Sequence, residues 1–114
     1  MRRALTVDPA WLIHSFDYHE YYKRDSFREV EYKEPVEVTK VRIDQSRTFT
    51  QSKTDADINI KAVIFCFASD TAPFMSFKEQ SKVVFDGREY IITKVIPQYE
   101  PHRNELWSYE LEVT

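Results

Sequence analysis

The chain has 114 residues, a formal net charge of −3, and is 42% hydrophobic and 15% aromatic. This length fits a single domain, over residues 1–114, and the aromatic content supplies a core that disordered chains lack. The net acidity argues against a protein whose main ligand is free DNA or RNA, and the single glycine argues against a glycine-rich phosphate loop. No apolar run approaches the roughly 18 residues of a membrane span, so we expect no membrane contact and synthesis in a cytoplasm.

The first predicted element is a short helix over residues 8–15. Asp8 is a suitable N-cap, and Pro9 suits the first helical position, where its missing N–H costs nothing. The apolar residues Trp11, Leu12 and Ile13 follow. A helix of two turns is too short to be stable alone, so this segment must dock on another surface. The aromatic and charged residues 18–27 then favour a short edge strand.

Residues 35–44 form the next predicted strand. Val36 and Val38 have one parity and Val41 and Ile43 the other, so a one-residue bulge near Thr39–Lys40 is needed to bring them to one side. Residues 45–57 are polar and predict a long loop, which we expect to be poorly packed in the free protein and ordered by neighbours.

The most apolar strand is predicted over residues 58–67. One face carries Ile58, Ile60, Ala62, Ile64 and Cys66, and the other gains Val63, Phe65 and Phe67 in its second half. Such a strand must be covered on both sides, by a barrel wall, the short helix or a neighbouring subunit. A second long loop is predicted over residues 68–81.

Asp86-Gly87 between the apolar runs 82–85 and 89–96 indicates a β-hairpin, and Pro97 is expected to end its second strand. The last strand, residues 106–114, alternates strictly. Its inward set is predicted to be Trp107, Tyr109, Leu111 and Val113, and its outward set Ser108, Glu110, Glu112 and Thr114. Five to six strands in all predict a mainly β protein, a small antiparallel barrel or sandwich with one short helix and two long loops.

The residues that carry chemistry form no catalytic or metal-binding pattern. His14, His19, His102 and Cys66 have no zinc-site spacing, and Cys66 sits in an apolar strand where a thiol is inert. Glu110 and Glu112 share one strand face, which is typical of a solvated surface or a cross-strand ion pair. We therefore predict no catalytic residue, no metal, no cofactor and no enzymatic activity.

Four stretches in order along the chain resemble the minor capsid proteins of tailed bacteriophages and of prophages of Gram-positive hosts. They are PAWLIHS at 9–15, YKEPVEV at 32–38 leading into VRID at 41–44, KVVFDGREY at 82–90 and WSYELEV at 107–113. The resemblance implies a head-completion or head–tail connector protein of the virion neck, a small β-barrel that assembles as a ring. The implied partners are further copies, the portal and tail-side proteins, with a passing contact to DNA in the channel.

The candidate partner-binding residues are the apolar and basic side chains of the helix and loops, Trp11, Leu12, Ile13, Arg47, Lys53, Phe74, Met75 and Phe77. For Phe74, Met75 and Phe77 an equal alternative is that the loop packs on the domain's own core. The alternative function is a generic β-barrel binding module such as an oligonucleotide-binding fold, in which Tyr90, Trp107 and Tyr109 stack on bases.

Overall fold

The structure is a computed structural model that describes residues 8–24, 30–45, 60–102 and 104–114. These residues are mainly β, as the sequence predicted, but they contain eight strands rather than five or six. The elements are a 3-10 helix Pro9–Trp11 and the strands β1 His14–His19, β2 Tyr21–Arg24, β3 Val30–Tyr32, β4 Val36–Asp44, β5 Ala62–Phe67, β6 Lys82–Phe85, β7 Arg88–Glu100 and β8 Glu105–Val113.

Six of the strands close into a barrel in the order β1–β4–β5–β8–β7–β6, and each neighbouring pair is antiparallel. The barrel is closed by β1 and β6, where Asp17 pairs with Val84 and Tyr18 with Val83. The remaining two strands, β2 and β3, form a separate two-stranded sheet. They lie in the part of the sequence that connects β1 to β4. Closure satisfies the backbone groups that an open sheet would leave at its edges.

The barrel interior is the hydrophobic core. One cross-strand row shows its construction: Ile43 pairs with Ile64, which pairs with Leu111, and the last two are fully buried. The buried cluster contains Phe16, Tyr18, Val38, Val41, Ile43, Ala62, Ile64, Cys66, Phe77, Val83, Phe85, Tyr90, Ile92, Leu111 and Val113. Because alternate residues of each strand point inward, the apolar parity of the strands supplies this cluster, apart from Phe77, which comes from the loop between β5 and β6.

The last strand follows its predicted alternation except near its start. Leu111 and Val113 are fully buried, and Tyr109 packs against the core from a half-buried position. The predictions for Trp107 and Ser108 were wrong in part. Trp107 lies half-buried on the outer wall, and Ser108 is on the predicted outer face but is buried. A register shift at Gln98/Tyr99 of β7 disturbs the pairing beside these residues.

The predicted bulge in β4 is confirmed at Lys40. His14 pairs with Val41 while Ser15 pairs with Thr39, so Lys40 is the extra residue, and its φ is +61°. This bulge puts Val38 and Val41 together in the core, each with no exposed surface. The Thr71 hydroxyl bridges the backbone beside the bulge: its Oγ1 donates to the Lys40 carbonyl at 2.9 Å and accepts the Phe67 N–H at 2.8 Å.

The predicted hairpin between β6 and β7 turns at Asp86–Gly87, where both residues have positive φ, +54° and +73°. The prediction that Pro97 ends the second strand was wrong, because β7 continues to Glu100. From Ile92 onward, β7 pairs with β8. The Val95 N–H does not take part in that pairing, because it donates to the Glu79 Oε2 at 3.3 Å. Pro97 has the same parity as Val95, so its missing N–H breaks no ladder bond.

The predicted helix over residues 8–15 was too long. Asp8 does cap it, since its Oδ1 accepts the Ala10 N–H at 3.0 Å, but only Pro9–Trp11 are helical and His14 begins β1. A strand from His14 onward is more stable here than a further helical turn, because its alternation buries Phe16 and Tyr18 in the core.

The second long loop is confirmed between β5 and β6, and its regular pairing is one isolated bridge from Ala72 to Thr39. The first predicted loop, over residues 45–57, falls outside the described residues from position 46 onward. No helix in the described parts of the chain has the length and apolar character of a membrane span.

Candidate interaction surface

The outer wall of the barrel carries an apolar groove of about 600 Å³. It lies across β4, β5, β8 and β7 and is bordered by the 3-10 helix. Its lining is Trp11, Leu12, Arg42, Phe65, Phe67, Gln98, Trp107, Ser108 and Glu110. Large apolar side chains on the outside of a closed barrel are unusual, and they mark this wall as a candidate interaction surface.

The floor of the groove follows from the double-sided pattern of β5. Ile64 and Cys66 point into the barrel and are fully buried, so Phe65 and Phe67 point outward, where each is half-buried. Phe67 makes an edge contact with the Trp107 ring, with 5.4 Å between the centroids. The sequence predicted that this second face would be covered, and the 3-10 helix supplies part of the cover.

A charged pair flanks the centre of the floor. Phe65 pairs with Arg42 of β4 on one side and with Glu110 of β8 on the other, and Glu110 pairs in turn with Ile96. Arg42 is exposed and Glu110 half-buried. The groove therefore presents a positive, an apolar and a negative side chain in one row across three strands.

The Glu110 carboxylate is held in a partly apolar setting. Its Oε2 accepts a hydrogen bond from the Gln98 Nε2 at 2.7 Å. Desolvation by the surrounding wall, followed by the neighbouring charge of Glu112, raises the pKa of Glu110 above its ordinary value. An ionised Glu110 is consequently a stronger acceptor for a cation than a fully hydrated carboxylate would be.

The rim of the groove is formed by the N-terminal segment. Leu12 anchors this segment with only 6% of its surface exposed, while Trp11 and Ile13 on either side are 59% and 70% exposed. The N-cap and the hydrogen bond from the Leu12 N–H to the Pro9 carbonyl, at 3.0 Å, fix the turn. Of the predicted contact residues, Trp11 and Leu12 therefore line the groove.

The loop residues that the sequence singled out lie elsewhere. Phe77 is 6% exposed and contacts the rings of Phe16, Tyr18 and Tyr109. Phe74 stacks on Tyr109 with 5.4 Å between centroids, and Met75 is partly buried against the core. This packing supports the alternative in which the loop folds over its own core. Arg47 and Lys53 lie outside the described residues.

Sequence reasoning missed several groove residues, namely Arg42, Gln98 and Glu110. The outward apolar parity of β5 was a visible signal for Phe65 and Phe67. The polar residues had no such signal, because only the register between strands places Arg42 and Glu110 on either side of Phe65.

A second concavity of about 440 Å³ is polar, and its lining includes His14, Asp17, Glu37 and Asp86. The His14 Nδ1 accepts the Ile43 N–H at 3.1 Å, so this nitrogen is occupied by the backbone. Over the described ranges, no group of three or more His, Cys, Asp or Glu residues could hold a metal ion. Burial raises the pKa of the Cys66 thiol and keeps it protonated.

The aromatic residues considered for base stacking are mostly used inside the protein. Tyr90 is 8% exposed and stacks on Phe85 with 4.4 Å between centroids. Tyr109 is covered by Phe74 and Phe77. Only Trp107 of the three lines the groove. Proteins that bind single-stranded nucleic acid present a row of exposed aromatic rings on which successive bases stack, and these three residues do not form such a row.

Comparison with known protein families gives a match over nearly the whole chain. The family model described as Minor capsid protein matches residues 9–113, from the 3-10 helix to the end of β8. Comparisons with curated proteins and with solved structures found no match.

Proposed function

The chain belongs to the minor capsid protein family, and on that basis we propose that it is a head-completion or connector component of the phage neck, between portal and tail. The family is one of structural proteins of the phage particle rather than of enzymes. The observation that carries the proposal is the match over residues 9–113. The finer assignment to the neck comes from the sequence resemblance described above.

The architecture is compatible with this role. A closed barrel is a rigid body, and long connections on a rigid scaffold are where binding residues usually lie. We propose that further copies form a ring and that the portal and tail-side proteins contact its two sides. A ring repeats one head-to-tail contact between two different patches of each copy. Arg47 and Lys53 remain proposed contacts to a neighbouring subunit or to passing DNA.

Trp11 and Ile13 are the proposed contact residues with the most exposed apolar surface. Replacing both with serine removes that surface but no core packing. The Trp11→Ser/Ile13→Ser variant should keep its melting temperature as an isolated chain and fail to join the particle. Leu12→Ser is the matched control: it should lower the melting temperature, because Leu12 is buried.

The role itself is tested by deleting the gene in the phage that encodes this chain and supplying it again in trans. We expect DNA-filled heads without tails, or heads that have lost their DNA, and rescue by the wild-type gene. Electron microscopy with an antibody to the protein should label a single vertex. Label spread over the whole capsid would refute the neck assignment and leave the family role intact. Normal tailed particles from the deletion would contradict any essential role in the neck.

A further inference from the structure

The row Arg42–Phe65–Glu110 has a symmetry property that the neck role does not explain. Neighbouring strands lie about 4.8 Å apart, so Arg42 and Glu110 flank Phe65 at nearly equal distances on opposite sides. Neither side chain forms an ion pair within the part of the chain that the structure describes. Each charge is therefore available to an external partner.

A second copy of this row is the complement of the first. A two-fold axis that lies in the plane of the interface, runs parallel to the strands and passes over Phe65 brings a second wall face to face with the first. Because this rotation reverses the order of the row, it sets each Arg42 opposite the other copy's Glu110. A two-fold contact uses the same patch on both subunits, and only a self-complementary patch can form it.

The shape of the wall is compatible with the same partner. The groove is concave, and the exposed Trp11 indole projects at its rim. A face with both a cavity and a projecting aromatic side chain can fill the cavity of its symmetry mate. Trp and Arg, with Tyr, are also the residue types most enriched among the residues that contribute most to binding at protein interfaces.

We infer that, in the free protein, the groove is occupied by a second copy of this chain in a two-fold dimer that pairs Arg42 with Glu110 of the other copy. Such a dimer is closed, so it stops at two subunits, whereas a head-to-tail contact continues to a ring. Because Trp11 would be covered in the dimer, the dimer and the neck contacts through Trp11 exclude one another. The dimer therefore serves as a form that holds the chain back from assembly until a competing surface displaces it.

The dimer is expected to be weak. Four strands and three outward rows span about 14 Å in each direction, so the wall covers about 200 Å², well below the roughly 800 Å² per partner of a standard stable interface. The dimer should therefore form only at protein concentrations from about 100 μM to about 1 mM. It should also weaken with added salt, because its ion pairs lie near the surface.

The experiment is a charge exchange followed by sedimentation equilibrium of the purified full chain. Arg42→Glu and Glu110→Arg each place like charges opposite one another at two symmetric positions, and each should weaken dimerisation by about tenfold or more. The double variant Arg42→Glu/Glu110→Arg exchanges the charges and should restore dimerisation. The matched control is Arg88→Glu, the same change at an exposed position beside the Asp86–Gly87 turn, and it should leave the dimer unchanged.

Circular dichroism melting of each variant separates loss of folding from loss of association. If Glu110→Arg does not fold, Arg42→Glu and Trp11→Ala carry the test, because both positions are exposed. A wild-type chain that is monomeric at all concentrations overturns the inference, and so does a folded double variant that does not regain the dimer. These measurements need no phage particle, so their failure leaves the proposed neck role untouched.

Discussion

The Tyr18 hydroxyl lies 3.3 Å from the Ser81 Oγ, although 63 positions separate the two residues in the chain. The Lys78 N–H donates to the Tyr18 oxygen at 2.8 Å, and the Tyr21 N–H donates to the Ser81 Oγ at 3.0 Å. Burial raises the pKa of Tyr18 and keeps it a neutral donor and acceptor. This group of hydrogen bonds fastens the second long loop to β1 and to the start of β2.

Tyr18→Phe should therefore destabilise the chain by about 1–2 kcal/mol, because it removes two hydrogen bonds and leaves the part-buried Lys78 N–H without its acceptor. Urea unfolding followed by fluorescence measures the change. Tyr22→Phe is the matched control, since the Tyr22 hydroxyl donates to Glu31 at an exposed position and water replaces that bond. Its cost should be under about 0.5 kcal/mol. Equal losses in the two variants would contradict the assigned role of the Tyr18 group.

The apolar residues of the second loop should contribute to the stability of the isolated chain. Phe77→Ala is expected to cost about 3–4 kcal/mol, because Phe77 is buried among three aromatic rings. The double variant Phe74→Ser/Met75→Ser should also lower the melting temperature, since both side chains pack on the core. Thermal unfolding of the purified chain provides the measurement. An unchanged melting temperature in the double variant, together with failure to join the particle, would instead support an interface role for Phe74 and Met75.

Local patterns were sufficient to predict several features of the barrel. The parity change in β4 required a bulge, and Lys40 provides it. Asp86-Gly87 specified a turn with two positive φ angles. The alternation of β8 placed Leu111 and Val113 inside. Each of these features depends on a few neighbouring residues, and burial of one strand face imposes the register strongly.

The interaction surface could not be predicted in the same way, because it depends on contacts between distant strands. The sequence shows that Phe65 is apolar, but only the barrel order places Arg42 and Glu110 beside it. The strand β1 was missed for a different reason. Its five-residue alternation from His14 to Tyr18 competes with the helical start at Asp8 and Pro9, and tertiary burial of Phe16 and Tyr18 decides the outcome.

Gly87 has a backbone conformation that most side chains disfavour. Its φ is +73°, and a Cβ added there would have no atom within 4 Å. Gly87→Ala should cost about 1–2 kcal/mol from backbone strain alone, without a steric clash. Gly87→Asn is the matched control and should cost less, because asparagine tolerates the left-handed region. Chemical denaturation can rank the three proteins, and an alanine variant as stable as wild type would rule out the strain argument.

Glu110→Gln should stabilise the folded monomer at neutral pH and have little effect in acid. The folded-state pKa of Glu110 is raised, so the native chain binds its proton more tightly than the unfolded chain does. Stability therefore falls as the pH rises from the ordinary carboxyl pKa through the raised value, and the full penalty is present above it. Glutamine carries no charge and still offers an oxygen to the Gln98 Nε2, so it avoids the penalty and keeps the hydrogen bond.

The gain should be small, about 0.5 kcal/mol or less, because Glu110 is only half-buried and solvent screens its charge. The measurement is the difference in melting temperature between variant and wild type as a function of pH, at protein concentrations low enough to exclude a dimer. Glu34→Gln at an exposed position is the control and should show no such trend. A difference that stays constant across the pH range would show that the effect is not due to the Glu110 charge. A difference that grows as the pH rises would identify Glu110 as a carboxylate whose ionisation the groove disfavours.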